Sequence, residues 1–429
     1  MKRKILLAAL LGAMGSAHAL DTTYDARSLG MAGTGAASAN SLNAAYQNPA
    51  ALASLPDEDF ILALPVLSLR VLDADSLSSD LDTLDSSANA LSDALNRFQN
   101  DVNANNTAGL SGATGSAANA AAALDNFNNA LNLVSNKALA AGAFGGTLLA
   151  IPSAEFSFAL AADARAEMGG FFNYASSDSA QISSISTDLG VCAANPTANV
   201  ANCNAVNGQV SGGQLNSLNS TFELRGAVLK EAGITAARHF ADWGEIDLGI
   251  TPKFINLSTY DVSSNAQSGN SNTSLNNGEK KETMFTFDLG VSRTGKTDGG
   301  NVIKAGLVAK NILAKKTTTI NGNAVEIAPQ LTAGVAYSGS WFTTTADLDV
   351  LKNKSMLVGL NPDARFLRLG AELDAWGWAQ FRLGYRHDLA GNYDGLPSVG
   401  VGLFHILDLS VAAASKKEAA VAMQLGIRF

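Results

Sequence analysis

The sequence is poor in charge: Asp, Glu, Lys and Arg make up 16% of its 429 residues, against roughly 25% in soluble domains. Since 47% of residues are hydrophobic, disorder of the whole chain does not explain that deficit. Cysteine is nearly missing. Cys192 and Cys203 are the only two, which excludes a disulfide scaffold and a thiolate metal cluster. Long apolar runs are missing too. Beyond residue 19 the longest uncharged apolar-leaning run, 138–154, is interrupted by Gly142, Gly145, Gly146 and Pro152, so it falls short of a spanning helix. Proline is sparse at nine while glycine reaches forty, a balance that suits a β-rich chain with many turns.

The N-terminus reads as an export signal. Met1-Lys2-Arg3-Lys4 is a positive start, Ile5 to Met14 is apolar but too short to span a bilayer, and Ala17-His18-Ala19 is a small-x-small cleavage site. Cleavage after Ala19 removes Lys2, Arg3 and Lys4, so the formal charge of −9 becomes −12. Such an acidic chain is a poor partner for nucleic acid. An exported, weakly charged chain without a spanning helix is either a secreted β-protein or an outer-membrane barrel in contact with lipid.

Periodicity separates these. Val421, Met423, Leu425, Ile427 and Phe429 share one side of an extended segment, while Ala420, Ala422, Gln424, Gly426 and Arg428 share the other. The same alternation sets Ile246, Leu248, Ile250 and Phe254 against Asp247, Gly249, Thr251 and Lys253, and Phe285, Phe287, Leu289 and Val291 against Thr286, Asp288, Gly290 and Ser292. Membrane-barrel strands alternate in this way because every second side chain touches lipid. Division at turn residues predicts fourteen strands: 60–72, 143–151, 154–174, 222–240, 244–257, 283–293, 302–312, 329–338, 341–350, 364–374, 378–388, 397–404, 407–415 and 419–429. Long connections interleave with short ones. The expected class is all-β: a transmembrane antiparallel barrel over 57–429, with a luminal plug at 20–56.

The segment 73–142 breaks the alternation. Leu77, Leu81, Leu84, Ala88, Leu91, Leu95, Phe98 and Val102 step by threes and fours, as do Leu124, Phe127, Leu131, Val134 and Ala138, which predicts two amphipathic helices in an extracellular hairpin sealing its own apolar seam. Cys192 and Cys203 lie in a polar stretch, 175–221. There a disulfide would restrain an exposed loop in an oxidising compartment. The stretch 258–282, full of Asn and Ser, reads as an exposed loop.

Near the N-terminus, Arg27-x-x-Gly30-x-x-Gly33 and Asn48-Pro49-Ala50 bring small residues together as a packed plug requires. A phosphate-loop reading fails because the glycine spacing is wrong and no lysine follows. This run resembles the N-terminal hatch of the FadL-type transporters of fatty acids and hydrocarbons. With the helical insertion after the first strand, Ala333-Gly334-Val335-Ala336-Tyr337 and Arg382-Leu383-Gly384-Tyr385-Arg386, the chain also resembles the barrel proteins known as TraF-type conjugal transfer proteins. The resemblance implies a fourteen-stranded barrel, a hatch containing Arg27, Gly30, Gly33, Asn48 and Pro49, and passage of hydrophobic small molecules.

Enzyme chemistry has little to stand on. His239, His387 and His405 form no metal-binding spacing, no Gly-x-Ser-x-Gly elbow occurs, and no cofactor is expected. Charges do gather on the luminal side of the C-terminal third: Asp347, Asp349, Arg368, Glu372, Asp374, Arg382, Arg386 and Asp388. They serve either as cross-strand pairs anchoring a plug or, at Arg368, Arg382 or Arg386, as a seat for a substrate carboxylate. Two functions follow: a channel for hydrophobic molecules, or a non-transporting component that docks conjugation or secretion proteins. An apolar path from 73–142 to the hatch favours the first; a solid, charge-paired interior favours the second.

Overall fold

The computed structural model describes residues 25–54, 60–73, 76–153, 155–198, 200–211, 218–265, 278–360, 362–415 and 417–429. The expected signal peptide, 1–19, lies outside these residues, as do 20–24 and 55–56 of the expected hatch.

The strands are β1 (Ile61–Leu72), β2 (Ala138–Ile151), β3 (Ser157–Asn173), β4 (Thr221–Phe240), β5 (Ile246–Asn265), β6 (Glu279–Lys296), β7 (Val302–Lys310), β8 (Lys315–Thr318), β9 (Ala324–Ile327), β10 (Gln330–Ser338), β11 (Phe342–Asp349), β12 (Phe366–Ala375), β13 (Ala379–Asp388), β14 (Leu396–Leu403), β15 (Leu407–Ala414) and β16 (Glu418–Arg428). All but β8 and β9 form one closed antiparallel barrel, in which β1 pairs with β16 from Ile61 opposite Arg428 to Leu72 opposite Glu418. Closure leaves no unpaired sheet edge, which hydrocarbon would not tolerate. The alternation predicts this barrel of fourteen strands.

Burial follows the two-residue period. Along β16, Val421 and Ile427 face outward at 48% and 45% exposure, while Gln424 between them is fully buried in the lumen. All four tryptophans, Trp243, Trp341, Trp376 and Trp378, lie in or beside short turns at one end, where Phe240 stacks on Trp243 and Trp378 on Phe404. An aromatic girdle of this kind marks the level of lipid headgroups. In β1 the pairing slips by one residue between Ala63 and Val66, because Pro65 has no N–H to donate. Thr147 Oγ1 donates instead to the Ala63 carbonyl, 3.2 Å away.

The long connections differ from expectation in four ways. Two helices, Leu77–Asn103 and Ser116–Val134, do occupy the first insertion, but β2 begins at Ala138, so the insertion is shorter than 73–142. Their seam is not self-sufficient. The stretch 175–221 also folds into helices, Ser176–Ala194 and Val200–Ser211, whose Ile182, Ile185 and Leu189 complete one apolar core with Leu91, Phe98 and Leu124. Short polar side chains masked the helical stripe in that segment. β5 and β6 continue into 258–282, and 313–328 carries the separate hairpin β8–β9. Polar outward residues there look like a loop because the strands rise beyond the greasy band. The segments 154–174 and 222–240 each hold a single strand.

Cys192 and Cys203 are joined by a disulfide, and both are buried in the helical cap rather than in an exposed loop. Replacing both with alanine is expected to destabilise the cap by about 2–3 kcal/mol, the scale for a bridge closing so short a loop. Hydrogen exchange should then quicken across 176–211 and leave the barrel strands unchanged.

Candidate functional site

Residues 25–54 lie inside the barrel and are organised around one carboxylate. Asp25 accepts from Ser28 N–H at 2.8 Å, Ser28 Oγ at 2.6 Å, Asn43 Nδ2 at 3.0 Å and Gln47 Nε2 at 2.9 Å. It thereby caps the short helix Ala26–Gly30 and ties it to the second helix, Ala44–Gln47. Asn48 closes the fold, donating to the Ala36 carbonyl at 2.6 Å and accepting from Ala50 N–H at 3.0 Å.

This plug touches all fourteen barrel strands. Where plug backbone comes closest, the wall opposite it carries glycine. A Cβ at Gly306 would fall 2.0 Å from the Ala36 carbonyl oxygen, one at Gly249 2.3 Å from the Pro49 carbonyl carbon, and one at Gly384 2.3 Å from the Ala32 nitrogen. Gly290, Gly370 and Gly334 also face the plug, at 2.0, 2.7 and 2.9 Å. Several of these glycines are cross-strand partners: Gly249 with Gly290, Gly306 with Gly334, and Gly370 with Gly384. Together they form a smooth inner belt against which backbone packs on backbone.

Polar groups fix the plug on that belt. Arg27 donates through Nε and Nη2 to the two Glu372 oxygens, each at 2.9 Å, and through Nη1 to the Ser38 carbonyl. Glu372 also accepts from Arg382 Nε at 2.6 Å, and Arg382 reaches Asp408 at 2.5 Å. The result is a buried chain of alternating charge from plug to wall. On the opposite side Asp347 Oδ2 accepts the adjacent N–H groups of Gly35 and Ala36 at 2.8 and 2.9 Å. Ser398, Ser410, Lys310 and Gln424 bind plug backbone from four more strands. Between plug and wall lies a cavity lined by Gly33, Gln47, Lys310, Asp347 and Arg368, with room for about one water molecule.

Above the plug the lumen changes character. On the side of β3 to β6 a layer of paired charges crosses it, with Lys253 between Glu231 at 3.4 Å and Asp288 at 3.1 Å. Higher still, Ala227, Leu229, Ile255, Leu257 and Met284 make an apolar wall. The helical cap stands on the ends of β2, β3 and β4. Asp178 fastens that cap to the start of β4 by accepting from the N–H groups of Asn219 and Ser220 and from the Ser220 hydroxyl. Burial alone would raise the Asp178 carboxyl, but these bonds hold it below its ordinary range.

The residues singled out from sequence divide into two groups. Arg27, Gly30, Gly33, Asn48 and Pro49 all belong to the plug, Glu372 and Arg382 meet it, and Arg368 and Arg386 pair within the wall, Arg368 beside the small cavity. Arg368 grips Asp349 at 2.6 Å and Arg386 shares Glu418 with Arg70. Their Phe366 neighbour lies beneath both guanidiniums. Asp388 stands apart from the plug: its carboxylate accepts N–H groups of Arg365, Ala390, Asn392 and Tyr393 at the far strand end. Sequence reasoning passed over the glycine belt, although Gly249, Gly290, Gly370 and Gly384 all fall on the luminal side of the alternation.

Residues 45–349 match the family described as "F plasmid transfer operon, TraF, protein". Among solved structures, the toluene transporter TbuX of Ralstonia pickettii aligns at TM-score 0.49 and 13% identity, over 95% of this chain and 98% of its own. The toluene transporter TodX of Pseudomonas putida aligns at TM-score 0.45 and 11% identity, over 94% and 96%. The translocator domain of the autotransporter NalP from Neisseria meningitidis gives TM-score 0.31 and 8% identity, over 87% and 89%. No curated protein matches the sequence.

Proposed function

The chain belongs to the family of the F plasmid transfer operon TraF protein, and we propose that it is an outer-membrane channel through which hydrophobic small molecules enter, with residues 25–54 as its gate. The observation that carries this reading is the two-tier lumen. An apolar wall lies above the charged layer, and below that layer the plug closes the bore through hydrogen bonds, one ion-pair chain, bare glycine contacts and two apolar patches. The resemblance of Arg27 to Gly33 and Asn48 to Ala50 to the hatch of the FadL-type transporters supports the same reading.

A docking component of a conjugation or secretion apparatus is the second reading, favoured by the charge-paired layer around Lys253 and Arg165. The two separate on uptake of N-phenyl-1-naphthylamine, a neutral apolar dye that fluoresces on reaching lipid inside an intact outer membrane. Cells making this protein should take up the dye several times faster than cells lacking it. Equal rates, with the protein assembled in the outer membrane, would leave docking as the better account.

A further inference from the structure

The apolar wall above the charged layer is covered from within. The hairpin β8–β9 folds inward from the β7–β10 connection, and residues 356–358 add to β9 through Glu326 N–H to the Met356 carbonyl at 2.9 Å and Val358 N–H to the Ala324 carbonyl at 3.1 Å. One side of this small sheet presents Val325, Ile327 and Leu357, which pack on Leu229, Ile255 and Leu257 of the wall. The other contacts are polar and concentrated at the rim. Asp261 Oδ2 accepts from Thr319 Oγ1 at 2.5 Å and Asn323 Nδ2 at 2.7 Å, while its backbone carbonyl accepts from Asn321 at 3.1 Å. Lys280 donates to the Thr318 carbonyl at 2.7 Å, and Glu282 accepts from Thr317.

We propose that this sheet is a hydrophobic lid, latched by Asp261, that occupies a binding site for small neutral apolar molecules on the β4–β5 wall. The aliphatic side chains of the lid stand where such a molecule would sit. The ligand is neutral because the charges nearest below, Lys253, Glu231 and Asp288, already satisfy one another, and desolvating a further carboxylate there would go uncompensated. A sheet held by interior packing alone would need no cluster of bonds at its rim. Two of those bonds converge on the Asp261 carboxylate, so one side chain sets how often the site is open.

The proposal rests on the channel reading but is tested apart from it. A lid reduces apparent affinity by the fraction of time the site is open, so loosening the latch tightens binding. Binding of radiolabelled naphthalene is measured by equilibrium dialysis against matched detergent. Asp261→Ala is expected to bind about tenfold more tightly than the parent protein, and Ile255→Asn to lose binding in either background. A variant with 316–326 replaced by a short Gly-Ser linker should reproduce the gain, and keeps the test decisive if Asp261→Ala fails to assemble. Unchanged affinity in the lidless barrel, or indifference to Ile255→Asn, overturns the lid. Tighter naphthalene binding without cellular dye uptake would overturn the channel and leave the lid standing.

Discussion

Valine at both Gly306 and Gly384 is expected to expel residues 25–54 from the lumen while the barrel stays closed. Valine suits a strand, so the wall keeps its ladder, but the new side chains begin 2.0 and 2.3 Å from plug backbone. Backbone cannot rotate aside as a side chain can. Overpacking costs about 1–3 kcal/mol at each site, and sites on separate strands with no shared partner add. The readout is trypsin cleavage after Arg27, buried at 5% exposure in the parent protein. The double variant should be cut rapidly while β16 stays protected, and its resistance to trypsin would remove the glycine belt from the account.

Glu372→Ala should be the most damaging single change at the plug. It removes the carboxylate that both Arg27 and Arg382 grip, leaving Arg27 buried with the Ser38 carbonyl alone. Stranding a buried charge costs about 3–5 kcal/mol. Because the loss comes from the stranded arginine, Arg27→Met combined with Glu372→Met should recover most of it. Urea unfolding in detergent, followed by the trypsin assay, measures both. If the double variant is as unstable as Glu372→Ala, the ion pair is not what matters.

Much of the architecture was legible because one physical rule, alternate side chains in lipid, repeats through the whole chain. Val421 to Phe429 and Ile246 to Phe254 show it plainly, and the fourteen strands followed. The rule fails where strands leave the lipid. Tyr260, Ser263 and Lys281 in the upper parts of β5 and β6 are polar, so those parts read as loop. Helices of the cap were legible where leucine marks the stripe, at Leu77 to Val102, and hidden where serine and alanine dilute it, at Ser176–Ala194. The plug's ion-pair chain was half visible. Glu372 and Arg382 stood out as luminal charges, yet nothing local shows that Arg27, 345 residues away from Glu372, completes it. Pairing also did not follow nearest register alone: Arg368 lies opposite both Asp347 and Arg386, but bonds Asp349. The lid was unreadable for a similar reason, since four-residue strands such as β8 and β9 carry too few alternations to reveal a period.

The most direct test of a gated barrel is to fix the gate. A Cβ on Gly370 would lie 2.7 Å from that of Met31, so Met31→Cys with Gly370→Cys places two thiols where a plug-to-wall disulfide can close with a small shift. Uptake of N-phenyl-1-naphthylamine should fall to the level of cells without the protein when this bond is oxidised, and recover on its reduction. Undiminished uptake through the cross-linked barrel would contradict a moving plug.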